Sequence, residues 1–382
     1  MAKHYPVYYS KCENYSPDEV RRALEKVLQP QIDAVGGVRG KSVLIKPNLL
    51  TSRNPEDPTC VHPRVILETA SCFIRAGAER VAVMETPATK KVSSILSAMG
   101  IADELDRMGV SYGNFTNYQS EKNTADGTFF QNIEIAQEYH DFDFVANLAK
   151  AKTHAMMTLT LCVKNLFGFV NGGNRIAWHL AVGRDYAKFA DMLLDLYLNI
   201  HPQFNVLDAV VCMEGNGPGN GTPAVRNFLA GSNDALSLDS QIATLFRCQD
   251  IPIMACAKAR NLLPQTTLSQ TDCPFPVQPL ELPTTPQMDL ASLHLGVGIP
   301  KFAQKFLHHT LLAKPRLHPR QCVGCGLCVR MCPPKSLTMR NGRPRFDLRT
   351  CIRCYCCQEH CPQGAITVKR STMMNILRFF HF

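Results

Sequence analysis

Eight cysteines near the C-terminus of this 382-residue chain fall into two copies of one pattern, Cys322-x2-Cys325-x2-Cys328-x3-Cys332-Pro333 and Cys351-x2-Cys354-x2-Cys357-x3-Cys361-Pro362. Two-residue gaps let three thiolates wrap one small centre inside a tight loop, and each iron of a cubane calls for a soft thiolate. The spacing predicts two [4Fe-4S] clusters with crossed ligands, because in a two-cluster ferredoxin the fourth cysteine of each run serves the other cluster. Cys322, Cys325, Cys328 and Cys361 are expected to hold one cluster, and Cys351, Cys354, Cys357 and Cys332 the other. Paired zinc ribbons also use C-x2-C units, but have no use for a third cysteine at the same step or a following proline in both copies. No segment with the basic, apolar and cleavage regions of a secretory signal opens the chain, so the expectation is a reducing, cytoplasmic setting instead of a disulfide framework.

The surroundings read as a duplicated ferredoxin module. Asn341-Gly342 between Ser336–Arg340 and Arg343–Phe346 is a strong hairpin signal. A matching strand is expected after Cys361, at Ala365–Val368. So small an aliphatic core leaves the clusters to hold the module together. Gly324 and Gly326 stand in the first ligand loop where Arg353 and Tyr355 stand in the second, so the two clusters are expected to differ in potential. Cys356 has no place in the pattern and is either a spare thiol or a substitute ligand.

The preceding three hundred or so residues suffice for a sizeable core. The net charge of +9 comes from Lys and Arg spread along the chain without blocks or interleaved aromatics, which argues against nucleic acid. No apolar run reaches membrane-spanning length, and membrane contact is not expected. Short Val/Ile/Leu runs alternate with helical patterns: strands at Val43–Ile45, Arg80–Met84, Asp143–Leu148 and Phe204–Val211, helices at Arg64–Ala76, Val92–Met99, Asp185–Leu198 and Asp234–Phe246. This predicts an α/β fold, a mostly parallel sheet with flanking helices, followed by a small α+β ferredoxin-like iron-sulfur domain. The expected division is 1–300 for the α/β domain, 301–315 for a helical linker, 316–371 for the ferredoxin module and 372–382 for a basic, apolar tail.

In such sheets function gathers beyond the C-terminal strand ends. Lys46-Pro47-Asn48, His62, Glu85, Lys150 to His154, Lys164-Asn165 and the glycine-rich run Glu214–Gly221 all fall there. Several lysines, two histidines and a glycine-rich turn would suit an anion. Lys46, Asn48, Lys150, Lys152, Lys164 and Asn165 are the candidate ligand-binding residues; His62, His154 and Glu214 are the candidate acids, bases or ligands of a further metal. Trp178 and His179 have no clear context.

These blocks resemble a known family. Val43 to Leu49, Val61-His62-Pro63, Asn147 to His154, Val163 to Gly168, Met213 to Pro218 and Gly231 to Ala235 are similar to successive blocks of the domain of unknown function 362, from about residue 40 to 245. Members often carry a C-terminal two-cluster ferredoxin module. Ala149, Ala151 and Val61 depart from common residues without removing a reactive side chain. The resemblance implies architecture and an iron-sulfur centre, but no reaction.

The leading expectation is a reductase whose clusters pass electrons to a ligand or cofactor in the α/β domain, since a tethered donor raises the local concentration of electrons there. The alternative is a non-catalytic electron carrier or assembly module docking a redox partner protein. A third reading places another metal on His62, His154 and Glu214.

Overall fold

A computed structural model describes residues 5–50, 57–87, 90–123, 131–183, 185–263, 273–283 and 314–369. The helical linker expected at 301–315, apart from Lys314 and Pro315, and the tail at 372–382 lie outside the described residues.

The α/β domain is built on strands β1 (Tyr8–Lys11), β2 (Ser42–Pro47), β3 (Arg80–Glu85), β4 (Ser111–Asn114), β7 (Phe144–His154), β8 (Thr158–Thr160), β9 (Phe204–Glu214) and β10 (Thr222–Ser232), with a separate hairpin of β5 (Tyr118–Lys122) and β6 (Asn132–Ala136). The order across the sheet is β1-β10-β9-β7-β2-β3-β4, with β8 paired to β7. The run from β9 through β7, β2 and β3 to β4 is parallel. β1, β10 and β8 pair antiparallel, so the mostly parallel α/β fold expected from the sequence is present.

Two apolar layers cover the sheet, and the period of two sorts side chains between them. Val43, Ile45, Val81, Val83, Ala146, Leu148, Phe204 and Val206 pack with helices α1 (Pro17–Ala34), α2 (Pro63–Arg75), α3 (Val92–Ala98) and α4 (Ala102–Arg107). Leu44, Ala82, Val145, Ala149 and Leu207 face the layer that contains α5 (Cys162–Asn165), α7 (Tyr186–Ile200), α8 (Ala235–Leu245) and α9 (Pro252–Ala259); α6 (Gly172–Val182) precedes α7. The first parallel strand, β2, is followed by β3 and β4 on one side and by β7 and β9 on the other. The order therefore reverses between β2 and β7, the crevice where such folds bind ligands.

Two strands run longer than their apolar stretches suggest. The sequence reading ends β7 at Leu148 and places Lys150 and Lys152 in a ligand-binding loop beyond it. The strand continues to His154 with every residue from Val145 onward buried. Partners held by other segments satisfy those lysines inside the protein. Likewise β9 continues past Val211 to Glu214.

The small domain pairs β11 (Lys314–Leu317) with β14 (Ile366–Lys369), and β12 (Leu337–Arg340) with β13 (Arg343–Phe346) across the Asn341-Gly342 turn. Lys314 and Pro315, assigned from sequence to the linker, open the first of these strands. Its own core is slight: Leu337 and Ile366 with Cys328, Cys332 and Cys357.

Candidate functional site at the domain junction

Burial pushes the Cys328 thiol up to about 11, and its neighbours Cys361, Cys325 and Cys322 add to the rise. Cys332 is raised by burial with Cys354 and Cys351 beside it; Cys357 is raised by burial, by Cys354, Cys351 and Cys332, and last by Cys328 of the first run. Cys361 of the second run thus neighbours the first three cysteines, and Cys332 of the first run neighbours the second three. Cys322, Cys325, Cys328 and Cys361 line one cavity. The duplication extends to the backbone, where Ser336 N–H donates to Cys332 Sγ at 3.2 Å and Ala365 N–H to Cys361 Sγ at 3.3 Å. Crowded thiols resist joint ionisation unless a cationic centre binds them, so the donor set fits iron-sulfur ligation. Gly324, Gly326, Arg353 and Tyr355 all have positive φ, from 57° to 71°. The second loop therefore holds bulky residues in a conformation that favours glycine.

The glycine-rich run has a different role from the anion cradle expected of it. Asn220 Nδ2 donates to the carbonyls of Gln358 and Ile366, and Gln358 Nε2 donates to the Asn216 carbonyl at 2.7 Å. A Cβ on Gly219 would stand 2.8 Å from the Glu359 carbonyl, so this loop docks the small domain by close backbone approach. Tyr186 OH adds a bond to the Arg353 carbonyl. The helical turn Cys356–Glu359 is thereby set against the C-terminal rim of the sheet.

At that rim the expected residues do gather, but as separate sets. Lys46 forms a buried pair with Glu85 and donates to Asn165 Oδ1; burial lowers its pKa to about 8 against the pull of Glu85. Arg175 approaches the other Glu85 oxygen at 3.7 Å and is anchored on the Gly168 and Val170 carbonyls. Asn165 donates to Asn147 Oδ1 and the Leu148 carbonyl. Lys150 sits directly across from Asp208 in the sheet register and pairs with it at 2.8 Å, with Tyr15 OH bonded to both. Lys152, 1% exposed, donates to Asn48 Oδ1 and the Thr59 carbonyl, and burial lowers its pKa to about 8. These contacts engage Lys46, Asn48, Lys150, Lys152 and Asn165 within the protein, where the sequence reading has them meet a ligand.

The candidate acid-base residues also separate. His62 caps α2, its Nδ1 accepting from Arg64 N–H, and its ring stacks on Tyr15 at 3.7 Å; burial lowers its pKa to about 4. Glu214 pairs with Arg226 at 2.9 Å and accepts from Glu281 N–H. His154 Nδ1 accepts from Met156 and Met157 N–H, so the neutral ring carries its proton on Nε2. Among the described residues no group of three or more His, Cys, Asp or Glu converges on a single metal ion, and His62, His154 and Glu214 keep different partners.

An enclosed space lies where both domains meet, a cavity of about 60 Å³ lined by Lys164, Arg175, His179 and Phe167 on one side and by Cys356, Glu359 and His360 on the other; a larger, more open one of about 800 Å³ lies between Asp57, Asn220 and Pro223 and His318, Gln321 and Thr367. Lys164 is half-buried, its pKa lowered by burial against the attraction of Glu359. Burial pushes the Glu359 carboxyl up, but Lys164, His360, His154 and His179 hold it at about 2. His179, stacked on Phe189, is lowered to about 4 by burial. His179 Nδ1 and His154 Nε2 are buried and find no hydrogen-bond partner among the described residues. Arg175, His179 and Glu359 carry no motif, and only the packing of the two domains reveals them.

The thiol sets and the junction define the class, an iron-sulfur electron-transfer protein, and the model of a 4Fe-4S dicluster domain matches residues 314–362. The chain belongs to the family described as Domain of unknown function (DUF362), whose model matches residues 43–244. It is similar to the thylakoid-associated protein sll1697 of Synechocystis sp., with 30% identity over 261 residues, 66% of this chain and 79% of that protein. Among solved structures, the lactate racemase apoprotein from Thermoanaerobacterium thermosaccharolyticum matches with a TM-score of 0.40 and 15% identity, over 60% of this chain and 54% of that one. The chain thus spans little more than half of that structure. Among the described residues no helix is long and apolar enough to cross a membrane.

Proposed function

We propose that the protein holds two [4Fe-4S] clusters, one on each crossed set of four thiols, and reduces a small anionic group bound at the domain junction. The observation that carries this reading is the junction cavity, where Lys164, Arg175 and His179 face Cys356, a direct neighbour of the cluster ligand Cys357. The bound clusters would supply electrons one at a time; charge, orientation and protons fall to the side chains.

Lys164 is the natural anchor, because a half-buried ammonium that faces the cavity gains from a bound oxyanion. Arg175, held by two carbonyls, offers a fixed guanidinium beside it. His179, kept neutral by burial, presents to the cavity a ring nitrogen without a hydrogen-bond partner among the described residues, which can bond the ligand and relay a proton, while His154 Nε2 stands 3.9 Å from Glu359. Phe167, Leu50 and Met331 limit water. The volume suits a carboxylate-sized group, which can be the head of a longer molecule. Lys46, Asn48, Lys150, Lys152 and Asn165 build the rim.

The test is anaerobic calorimetric titration with acetate, bicarbonate and phosphate. Lys164→Met and Arg175→Gln should keep the electron paramagnetic resonance of the reduced clusters and lose binding; wild-type affinity in both variants would sink the assignment. A carrier that docks a partner protein is the second reading, favoured by the eleven Lys and Arg against two Asp and Glu between Lys314 and Lys369.

A further inference from the structure

The charge of this chain is not evenly distributed. Between Lys314 and Lys369 there are eleven Lys and Arg against two Asp and Glu, a surplus of nine that equals the +9 of the whole chain and leaves the rest balanced. This corrects the impression of basic residues spread along the sequence. Arg330, Lys335, Arg340, Arg343, Arg345 and Arg349 are all exposed. Of these, Arg349 has a carboxylate nearby, Asp347 at 3.3 Å.

The hairpin explains where the charge points. In its register Arg340 opposes Arg343 and Thr338 opposes Arg345, so the three arginines share one face while Leu337, Pro344 and Phe346 share the other. The inner face is tied to the first thiol set: Pro344 lines the same cavity as Cys322, Cys325, Cys328 and Cys361. The Gly342 carbonyl also lies 2.6 Å from where a Cβ on Gly324 would stand. Arg330 Nη1 donates to the Cys325 carbonyl at 3.3 Å. The arginines thus occupy the hairpin face opposite the one that meets this set, and like charges directly opposed on a hairpin are unfavourable without an outside anion.

The two thiol sets also differ in exposure. Cys351, Cys354, Cys357 and Cys332 are all buried, whereas in the other set Cys328 is buried, Cys325 is exposed and Cys322 and Cys361 are half-exposed. Val323, between two ligands of the exposed set, is 66% exposed and supplies an apolar contact within the basic surround.

We propose that the outer face of the β12–β13 hairpin, with Arg330 and Val323, is the docking surface for an acidic single-electron carrier protein. It rests on the reading that the thiol sets hold clusters. The exchange balances simply: one electron leaves the carrier's reduced centre, which is oxidised, and enters the centre held by Cys322, Cys325, Cys328 and Cys361, which is reduced; no bond breaks and no proton moves. Complementary charge acts on encounter and orientation, so its signature is a rate that falls with salt.

The experiment uses the full chain purified without oxygen, with reduced plant-type [2Fe-2S] ferredoxin as the acidic donor and methyl viologen as a donor that needs no docking. Reduction by ferredoxin should slow about tenfold or more between low and physiological salt. It should slow similarly when Arg340→Glu, Arg343→Glu and Arg345→Glu are combined, and less in the matching Gln variant. Gel filtration at low salt should show a complex with ferredoxin that the Glu variant loses. Viologen reduction should stay the same throughout. Ferredoxin rates indifferent to salt and to charge reversal would overturn the docking surface while leaving the clusters in place. Salt-sensitive binding to phosphatidylglycerol vesicles with no such effect on ferredoxin would overturn it in favour of a lipid surface. Wild-type protein that viologen cannot reduce would sink the cluster reading itself.

Discussion

His154, the last residue of β7, and Glu359, in the helical turn of the second cysteine run, face each other across the domain boundary with Nε2 and Oε2 3.9 Å apart. The ring is fixed by two backbone donors on Nδ1, so its remaining proton points at the carboxylate. Glu359 is also the anion nearest in effect to Lys164. The small domain therefore brings its own carboxylate to a cationic rim, in the position an external anion would take.

Glu359→Gln removes that resident anion. Small oxyanions should bind several-fold more tightly at the junction, because Lys164 and Arg175 are left without it. Calorimetric titration with phosphate reads the change, and weaker binding would show that Glu359 supports the ligand instead of competing with it.

Gly219→Ala places a methyl against the Glu359 carbonyl. Overpacking there should cost about 1–3 kcal/mol and loosen the helical turn from the glycine-rich loop. Hydrogen exchange across 356–361 should quicken while the β2–β3 core stays protected.

Lys150→Met leaves Asp208 buried without its cation. The expected loss is about 3–5 kcal/mol, read from urea unfolding. Adding Asp208→Asn should recover part of it, which a role for Lys150 in ligand binding alone would not explain.

His62 has its pKa depressed by burial to about 4, below the unfolded value of about 6.5. Between those values the unfolded chain binds a proton that the folded chain refuses, so stability falls as pH drops from 6.5 toward 4; His179 adds in the same sense. His62→Asn keeps an N-cap acceptor and should flatten the slope of unfolding free energy against pH. An unchanged slope would assign the effect elsewhere.

The crossed ligation predicts that Cys361→Ser disturbs the centre of the first run, not the second. Iron should fall from about eight to about four per chain, with one of two resonance signals lost. Cys356→Ser should leave both, since Cys356 lines the junction cavity beside the ligand set. Iron near zero with zinc bound in the wild type would overturn the reading of the cysteines.

Local spacing made the cysteine sets, the Asn341-Gly342 hairpin and the alternation of β2, α2, β3 and α3 legible, because each depends on neighbours within a few residues or one period. The surplus charge of the small domain was equally open to a count by segment. The fate of the lysines was not. Lys152 is satisfied by Asn48, 104 residues away, and Lys46 by Asn165, 119 residues away. Whether a lysine near a strand end is solvated, paired or poised for a ligand depends on which distant groups the sheet order brings to it. The glycine-rich run shows the same limit: its composition signals a turn, but only the packed domains reveal that its missing side chains admit the Glu359 backbone. Chain-local spacing marked the cysteines as a 4Fe-4S motif; the desolvation and pairing that give Lys164, His154, His179 and Glu359 their chemistry arise only once two domains close over one another.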